Sequence, residues 1–299
     1  MTWQIALLLS SILGIVRDTF TKKITQHINP LVALFYFYIT AVIASSLLAL
    51  LYFQSNPFGV TALHWWARVF GLGFGVGVYG LFSAIKINLT KTQAFLSYRN
   101  LISIVLAAVF FNELSHITWK LGIATILFLL SLVLPQVLVK RKSAHAEDAN
   151  KEWLFWMILH LVFIGSGMFL AKLFTHYLTP IDLLVNQYLG SFVMIVLILV
   201  VRQYYTSGEA RKVFSLAVAN RRILALTLFN GFVTAISIFL LYLALAGGQV
   251  TVVTQVDNFL RTLIIIPIGM FVFKETKQLT RIDYLSIALA IVGAALLMS

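Results

Sequence analysis

Residues 84–113 read AIKINLTKTQAFLSYRNLISIVLAAVFFNE, and residues 246–275 read AGGQVTVVTQVDNFLRTLIIIPIGMFVFKE. At a shift of 162 the two stretches agree at nine of thirty positions, including Thr92 with Thr254, Gln93 with Gln255, Arg99 with Arg261 and Glu113 with Glu275. A second match lies upstream. Residues 22–47 fall on 172–197 at a shift of 150, which sets Lys22 on Lys172, Thr25 on Thr175, Pro30 on Pro180 and Tyr38 on Tyr188. Apolar identities between membrane helices are cheap because the alphabet is small. Polar matches at one fixed shift are not, and they mark an internal duplication.

The composition says where such a duplication would sit. Of 299 residues, 61% are apolar and 11% charged, and the mean hydropathy is +0.96. An ordinary soluble domain carries about 25% charged residues, and a globule with so few could not cover its surface. A soluble enzyme, a disordered chain and a disulfide scaffold are excluded, the last also because the chain has no Cys. The composition is that of an all-α integral membrane protein. The net charge of +12 is read as membrane topology rather than nucleic-acid binding, because the basic residues fall between apolar runs.

A bilayer core takes about 20 apolar residues per helix, and the chain divides repeatedly at that length. The predicted spans are 3–25, 30–53, 64–85, 91–111, 118–139, 153–176, 180–203, 221–244, 249–273 and 281–298. The breaks carry turn or charge signals: Asn29-Pro30, Gln54-Ser55-Asn56-Pro57, the basic run KRKSAHAEDANK at 140–151, Thr179-Pro180 and the 202–222 segment. The expected organisation is a first five-helix repeat at 1–139, a basic linker at 140–152 and a second five-helix repeat at 153–299. The N-terminal MTWQIALLLSSILG lacks the charged start of a cleaved signal and reads as the first span. Five is odd, so the second repeat enters the membrane from the opposite face. Inverted repeats of this kind are a hallmark of transporters that alternate access around a site near the midplane.

These features resemble the drug/metabolite transporter superfamily and, within it, the ten-helix EamA-like transporters. The resemblance spans the whole chain and rests on the duplicated unit, on Lys22 and Lys172 late in the first helix of each half, and on Phe111-Asn112-Glu113 and Phe273-Lys274-Glu275 ending the fourth. It implies a central cavity lined by the first, third and fourth helices of each half, with help from the second. It also implies export or exchange of small metabolites. The chain departs from the family pattern in two places. The Tyr38 region stands where the second helix usually carries Arg, and 91–111 has no Pro.

Ionisable groups inside a bilayer usually face a cavity or a partner. On a helical wheel Thr92, Gln93, Ser97, Arg99, Asn100 and Ser103 share one arc of about 160°, and Thr254, Gln255, Asp257, Asn258, Arg261 and Thr262 share the matching arc. Arg99 and Arg261 would approach the midplane from opposite faces and favour a carboxylate or phosphate through paired hydrogen bonds. The competing reading is internal neutralisation, with Asp257 pairing Arg261 one turn away. Asp18 is one turn from Lys22 and has no acidic counterpart in the second half, where Met168 stands. Asp18 and Asp257 are therefore candidate coupling residues, with an ion pair closing a gate or holding a helix end as the alternative. Tyr38 and Tyr188 suit a cavity wall, each with an apolar face and one hydroxyl.

Other patterns read as architecture. Gly71, Gly73, Gly75, Gly77 and Gly80 imply close helix approach, since neither a preceding strand nor a phosphate-binding Lys accompanies them. Glu113 and Glu275 read as turn or capping carboxylates. Of the histidines only His160 lies well inside a span, the others falling at or near loops, and no metal-ligand spacing or nucleophile elbow is present.

The expected function is secondary-active transport, as exporter or exchanger, of a small polar or anionic metabolite such as an amino-acid-like compound or organic acid. The substrate-binding candidates are Arg99, Arg261, Gln93, Gln255, Tyr38, Tyr188, Asn258, Lys22 and Lys172. No cofactor, metal or catalytic set is expected. Partners would be the substrate, protons or a counter-substrate, and lipid, for a monomer or homodimer in the cell membrane (a bacterial inner membrane). Alternatives are a proton-coupled exporter of cationic or aromatic compounds and, in a different class, a lipid-carrier flippase or non-transporting scaffold. Lys and Arg concentrate in loops after odd-numbered spans, which places both termini outside the cytoplasm, whereas the resembling family more often keeps them inside.

Overall fold

In the computed structural model the described residues are 2–51, 58–96, 98–111, 144–205 and 220–298, with isolated positions between these stretches. They form helices α1 (Trp3–Thr25), α2 (Pro30–Leu51), α3 (Ala62–Ile87), α4 (Leu89–Phe95), α5 (Tyr98–Phe110), α6 (Ala144–Phe174), α7 (Pro180–Tyr205), α8 (Arg221–Gly247), α9 (Val250–Pro267) and α10 (Arg281–Met298), and no strand. Among the described residues, six helices are long and apolar enough to cross a membrane: those at 3–25, 30–51, 62–87, 148–174, 180–204 and 221–247. Most of the fifth predicted span, 118–139, lies outside the described residues.

Local chemistry sets the helix ends. Pro30 and Pro180 open α2 and α7, where a missing N–H costs nothing and the fixed φ suits a first turn. Asn220 caps α8 by accepting from the Arg222 and Ile223 amides at 3.0 and 3.3 Å. Asn88 leaves the helix in an extended conformation and accepts from Lys91 N at 2.7 Å, so α3 turns directly into α4.

Two spans differ from their expected form. The span predicted at 91–111 is divided, with α4 ending at Phe95 and α5 starting at Tyr98. The span predicted at 249–273 stays α-helical to Pro267 and then makes a π turn at Ile268–Val272. Proline cannot supply the i→i−4 donor, which favours such a local rearrangement. The linker predicted at 140–152 is also shorter than expected. From Ala144 onward its residues are the opening turns of α6, consistent with the helix preference of Ala, Glu and Lys.

The helices pack in reciprocal pairs. α1 lies on α8 and α6 on α3, α3 lies on α7 and α8 on α2, and α1 meets α9 as α6 meets α5. Gly71 is one reason α3 and α7 can touch: a Cβ there would collide with the Gln187 carbonyl, which is the close approach expected of the glycine run. The polarity is inverted relative to a soluble protein. Leu8, Ile12, Leu47 and Leu197 are about half exposed, while Asp18, Gln93, Asp257 and Arg261 are buried. That outward apolar belt is what lipid requires.

Candidate functional site

Three elements deliver charge to the middle of the bundle. Arg17 and Asp18 come from the second half of α1, Arg99 from the first turn of α5, and Asp257 with Arg261 from successive turns of α9. All five are less than a tenth exposed. They form an alternating chain. Arg17 Nε donates to Asp18 Oδ1 at 2.7 Å, and Arg261 Nη2 pairs with Asp18 Oδ2. Arg261 Nη1 donates to Asp257 Oδ2 at 3.2 Å, and Arg99 Nη2 lies 3.8 Å from the same oxygen. Ser11 Oγ donates to the other Asp257 oxygen at 2.9 Å.

Gly14 makes room for this chain. A Cβ at that position would stand 2.9 Å from Arg261 Nε, so the guanidinium rests on a bare face of α1. Buried charges are tolerated only when paired and hydrogen-bonded, and here each carboxylate is shared between two cations. Among the described residues, three guanidiniums against two carboxylates leave one positive charge.

The three arginines line one cavity with Phe37, Tyr38, Phe74, Phe82, His160, Met168 and Tyr188. A water molecule's centre fits in only about 40 Å³ of it. The chamber is narrow in this conformation. Its wall is aromatic: Tyr38 and Tyr188 meet edge to face at 5.9 Å between ring centroids, and Phe37 braces Tyr38 at 5.1 Å. The Tyr188 hydroxyl donates to the Thr234 carbonyl at 3.3 Å. His160 presents an imidazole from α6, with Nδ1 2.9 Å from the Gly77 carbonyl. A cavity of this chemistry suits a small anion with an apolar body.

The structure brings together four of the nine substrate-binding candidates, Arg99, Arg261, Tyr38 and Tyr188, around this cavity. Lys22 and Lys172 stand elsewhere. Lys22 Nζ donates to the Ile85 and Lys86 carbonyls at 3.0 and 3.2 Å, and Lys172 Nζ to the Leu245 and Gly248 carbonyls at 2.7 and 3.0 Å. Each ammonium thus meets the C-terminal carbonyls of a neighbouring helix, a favoured place for a cation. The anticipated Asp18–Lys22 pair does not form. Lys22 instead pairs with Glu275 Oε1 at 2.6 Å, and both Asp18 oxygens are held by arginines.

Gln93 is buried in α4 but does not line the cavity. The side chains of Gln255 and Asn258 lie outside the described residues, as does Glu113. Both expected carboxylates, Asp18 and Asp257, bridge arginines rather than standing alone. Glu275 does act as a cap, but of α4: it accepts from Leu89 N at 2.9 Å and from Thr90 N and Oγ1 at 2.7 Å.

Two lining residues, Arg17 and His160, were absent from the expected set. Neither residue has a basic counterpart at the repeat shift of 150 that would have drawn attention to it. Among the described residues no three potential metal ligands gather.

No protein-family model matches the sequence, and no curated protein matches it. The fold itself is shared with a solved crystal structure that carries no functional description. The two align over 98% of this chain and 96% of that one, with a TM-score of 0.63 and 13% identity. At that identity the likeness speaks for the fold alone.

Proposed function

We propose that this protein is a ten-helix secondary transporter of the drug/metabolite type, built from two inverted five-helix repeats. On this reading it moves a small polar or anionic metabolite by alternating access. The observation that carries the reading is the cavity walled by aromatic rings, where Arg17, Arg99 and Arg261 outnumber the carboxylates among the described residues by one. A purely structural ion network has no need of a surplus cation or of a chamber beside it. An anionic cargo would supply the missing charge.

The repeat is supported by more than the sequence shifts. Lys22 reaches the Lys86 carbonyl and Lys172 reaches the Gly248 carbonyl, and the shifts of 150 and 162 superpose those two contacts. Reciprocal helix packing points the same way. The divided fourth span and the Pro267 break in the ninth resemble the interrupted helices that transporters place beside their sites. Coupling would come from protons or a counter-substrate, in a cell membrane with both termini outside.

The test is counterflow in proteoliposomes loaded with radiolabelled mixtures of anionic, zwitterionic and cationic solutes. Exchange confined to solutes bearing a carboxylate or phosphate is the expected result. Exchange of cations alone would overturn the reading.

A further inference from the structure

His160 supplies a hydrogen-bond acceptor that nothing in the ion chain explains. The ring is 1% exposed and lines the cavity beside Arg17 and Arg99. Its Nδ1 lies 2.9 Å from the Gly77 carbonyl. A carbonyl only accepts, so Nδ1 must carry the hydrogen, and in the neutral ring Nε2 is left as an acceptor. That Nε2 is buried and has no hydrogen-bond partner among the described residues. A buried acceptor left unmade costs free energy, and a donor on a bound molecule would relieve it.

Charge and wall chemistry narrow the rest of that molecule. One surplus positive charge is cancelled by a monoanion; a zwitterion leaves it standing, and a dianion reverses it. Phe37, Phe74, Phe82, Ile164, Met168 and Leu241 make up half of the remaining lining, which desolvates a hydrocarbon body.

We propose that the cavity takes a hydroxylated monocarboxylate with an apolar body: the arginines hold the carboxylate and His160 Nε2 accepts from the hydroxyl. The inference deepens the transport reading and rests on it for biological meaning, while its binding test stands apart. His160 is then a specificity residue, setting hydroxy acids above both their deoxy and amino analogues.

Hydroxyisocaproate, isocaproate and leucine share one carbon skeleton and differ in bearing a hydroxyl, a hydrogen or an ammonium group. Calorimetric titration of each into the purified wild-type protein in detergent should give hydroxyisocaproate the tightest binding, about tenfold over isocaproate for one relieved acceptor, with leucine weakest. In His160→Leu the preference for the hydroxyl should vanish while isocaproate binding persists, which also reports that the variant is folded. His160→Gln keeps an acceptor oxygen and should retain part of the preference.

Equal binding of hydroxyisocaproate and isocaproate by the wild type would overturn the proposal. So would an unchanged ratio in His160→Leu, leucine binding at least as tightly, or no binding of any of the three. Exchange of other anions by a protein that ignores these three would overturn this inference and leave the transport reading standing. Hydroxyl-selective binding without exchange of any solute would do the reverse.

Discussion

Two clusters of buried charge sit along α1, and they differ in kind. Near the end of the helix, Lys22 and Glu275 form a one-to-one pair, both at most 3% exposed. Each has further partners. Glu275 takes two backbone amides and a hydroxyl at the start of α4, and Lys22 gives to two carbonyls at the end of α3. The two charges cancel, and neither residue lines the arginine cavity. One turn earlier, Arg17 and Asp18 begin a chain that ends with one cation in excess and opens on a chamber. Burial of charge does not by itself mark a site. Imbalance beside empty space does, and the balanced pair reads as a fastener between α1, α4 and the turn after α9.

Substitutions can break this contrast or sharpen it. The largest effect is expected at Arg261, which touches both carboxylates. Arg261→Gln leaves Asp18 and Asp257 short of a partner together, and should lower unfolding stability by about 3–5 kcal/mol, read by denaturant titration of the purified protein. Glu275→Gln comes next. It strands Lys22 without a counter-ion but keeps an acceptor for the α4 amides, so about 2–3 kcal/mol should be lost while the ranking of exchanged solutes is unchanged. A change in solute ranking would mean that the fastener belongs to the site after all.

Arg99→Gln should behave in the opposite way. Arg99 Nη2 lies 3.8 Å from Asp257 Oδ2, and removing it equalises cations and carboxylates among the described residues of the chain. Both carboxylates keep Arg261, so the loss of stability should be smaller than in Arg261→Gln, yet anion exchange should disappear. Tyr188→Phe is the smallest change, deleting one hydroxyl that donates to the Thr234 carbonyl at 3.3 Å. It should cost about 1 kcal/mol and leave solute charge preference alone; a switch in that preference would extend the charged site into the aromatic wall.

Much of this was legible in the residues, and the misses have physical causes. Polar identities at fixed shifts drew attention to Arg99, Arg261, Tyr38 and Tyr188, and all four line one cavity. The i,i+4 spacing of Asp257 and Arg261 was legible as a pair, and it forms. Lys22 and Lys172 also matched at the shift, but repetition cannot separate a repeated fastener from a repeated ligand: both hold helix-end carbonyls.

His160 was missed for the opposite reason. It has no repeated partner, and its meaning depends on which nitrogen the Gly77 carbonyl occupies, a contact across 83 residues of chain. Likewise Asp18 seemed suited to Lys22 one turn on, because the sequence does not reveal that α9 delivers Arg261 from 243 residues away. The division of the fourth span between Phe95 and Tyr98 had no local signal either, since neither Gly nor Pro lies between them.

The central claim is that the surplus positive charge exists to bind cargo. Its most direct test is counterflow of anionic solutes by wild-type protein and by Arg99→Gln in matched proteoliposomes, with unfolding stability measured on the same preparations. Loss of exchange in a variant that remains folded, and is less destabilised than Arg261→Gln, is the expected result. Wild-type rates of anion exchange in that variant would contradict the account and return the five buried charges to a structural role.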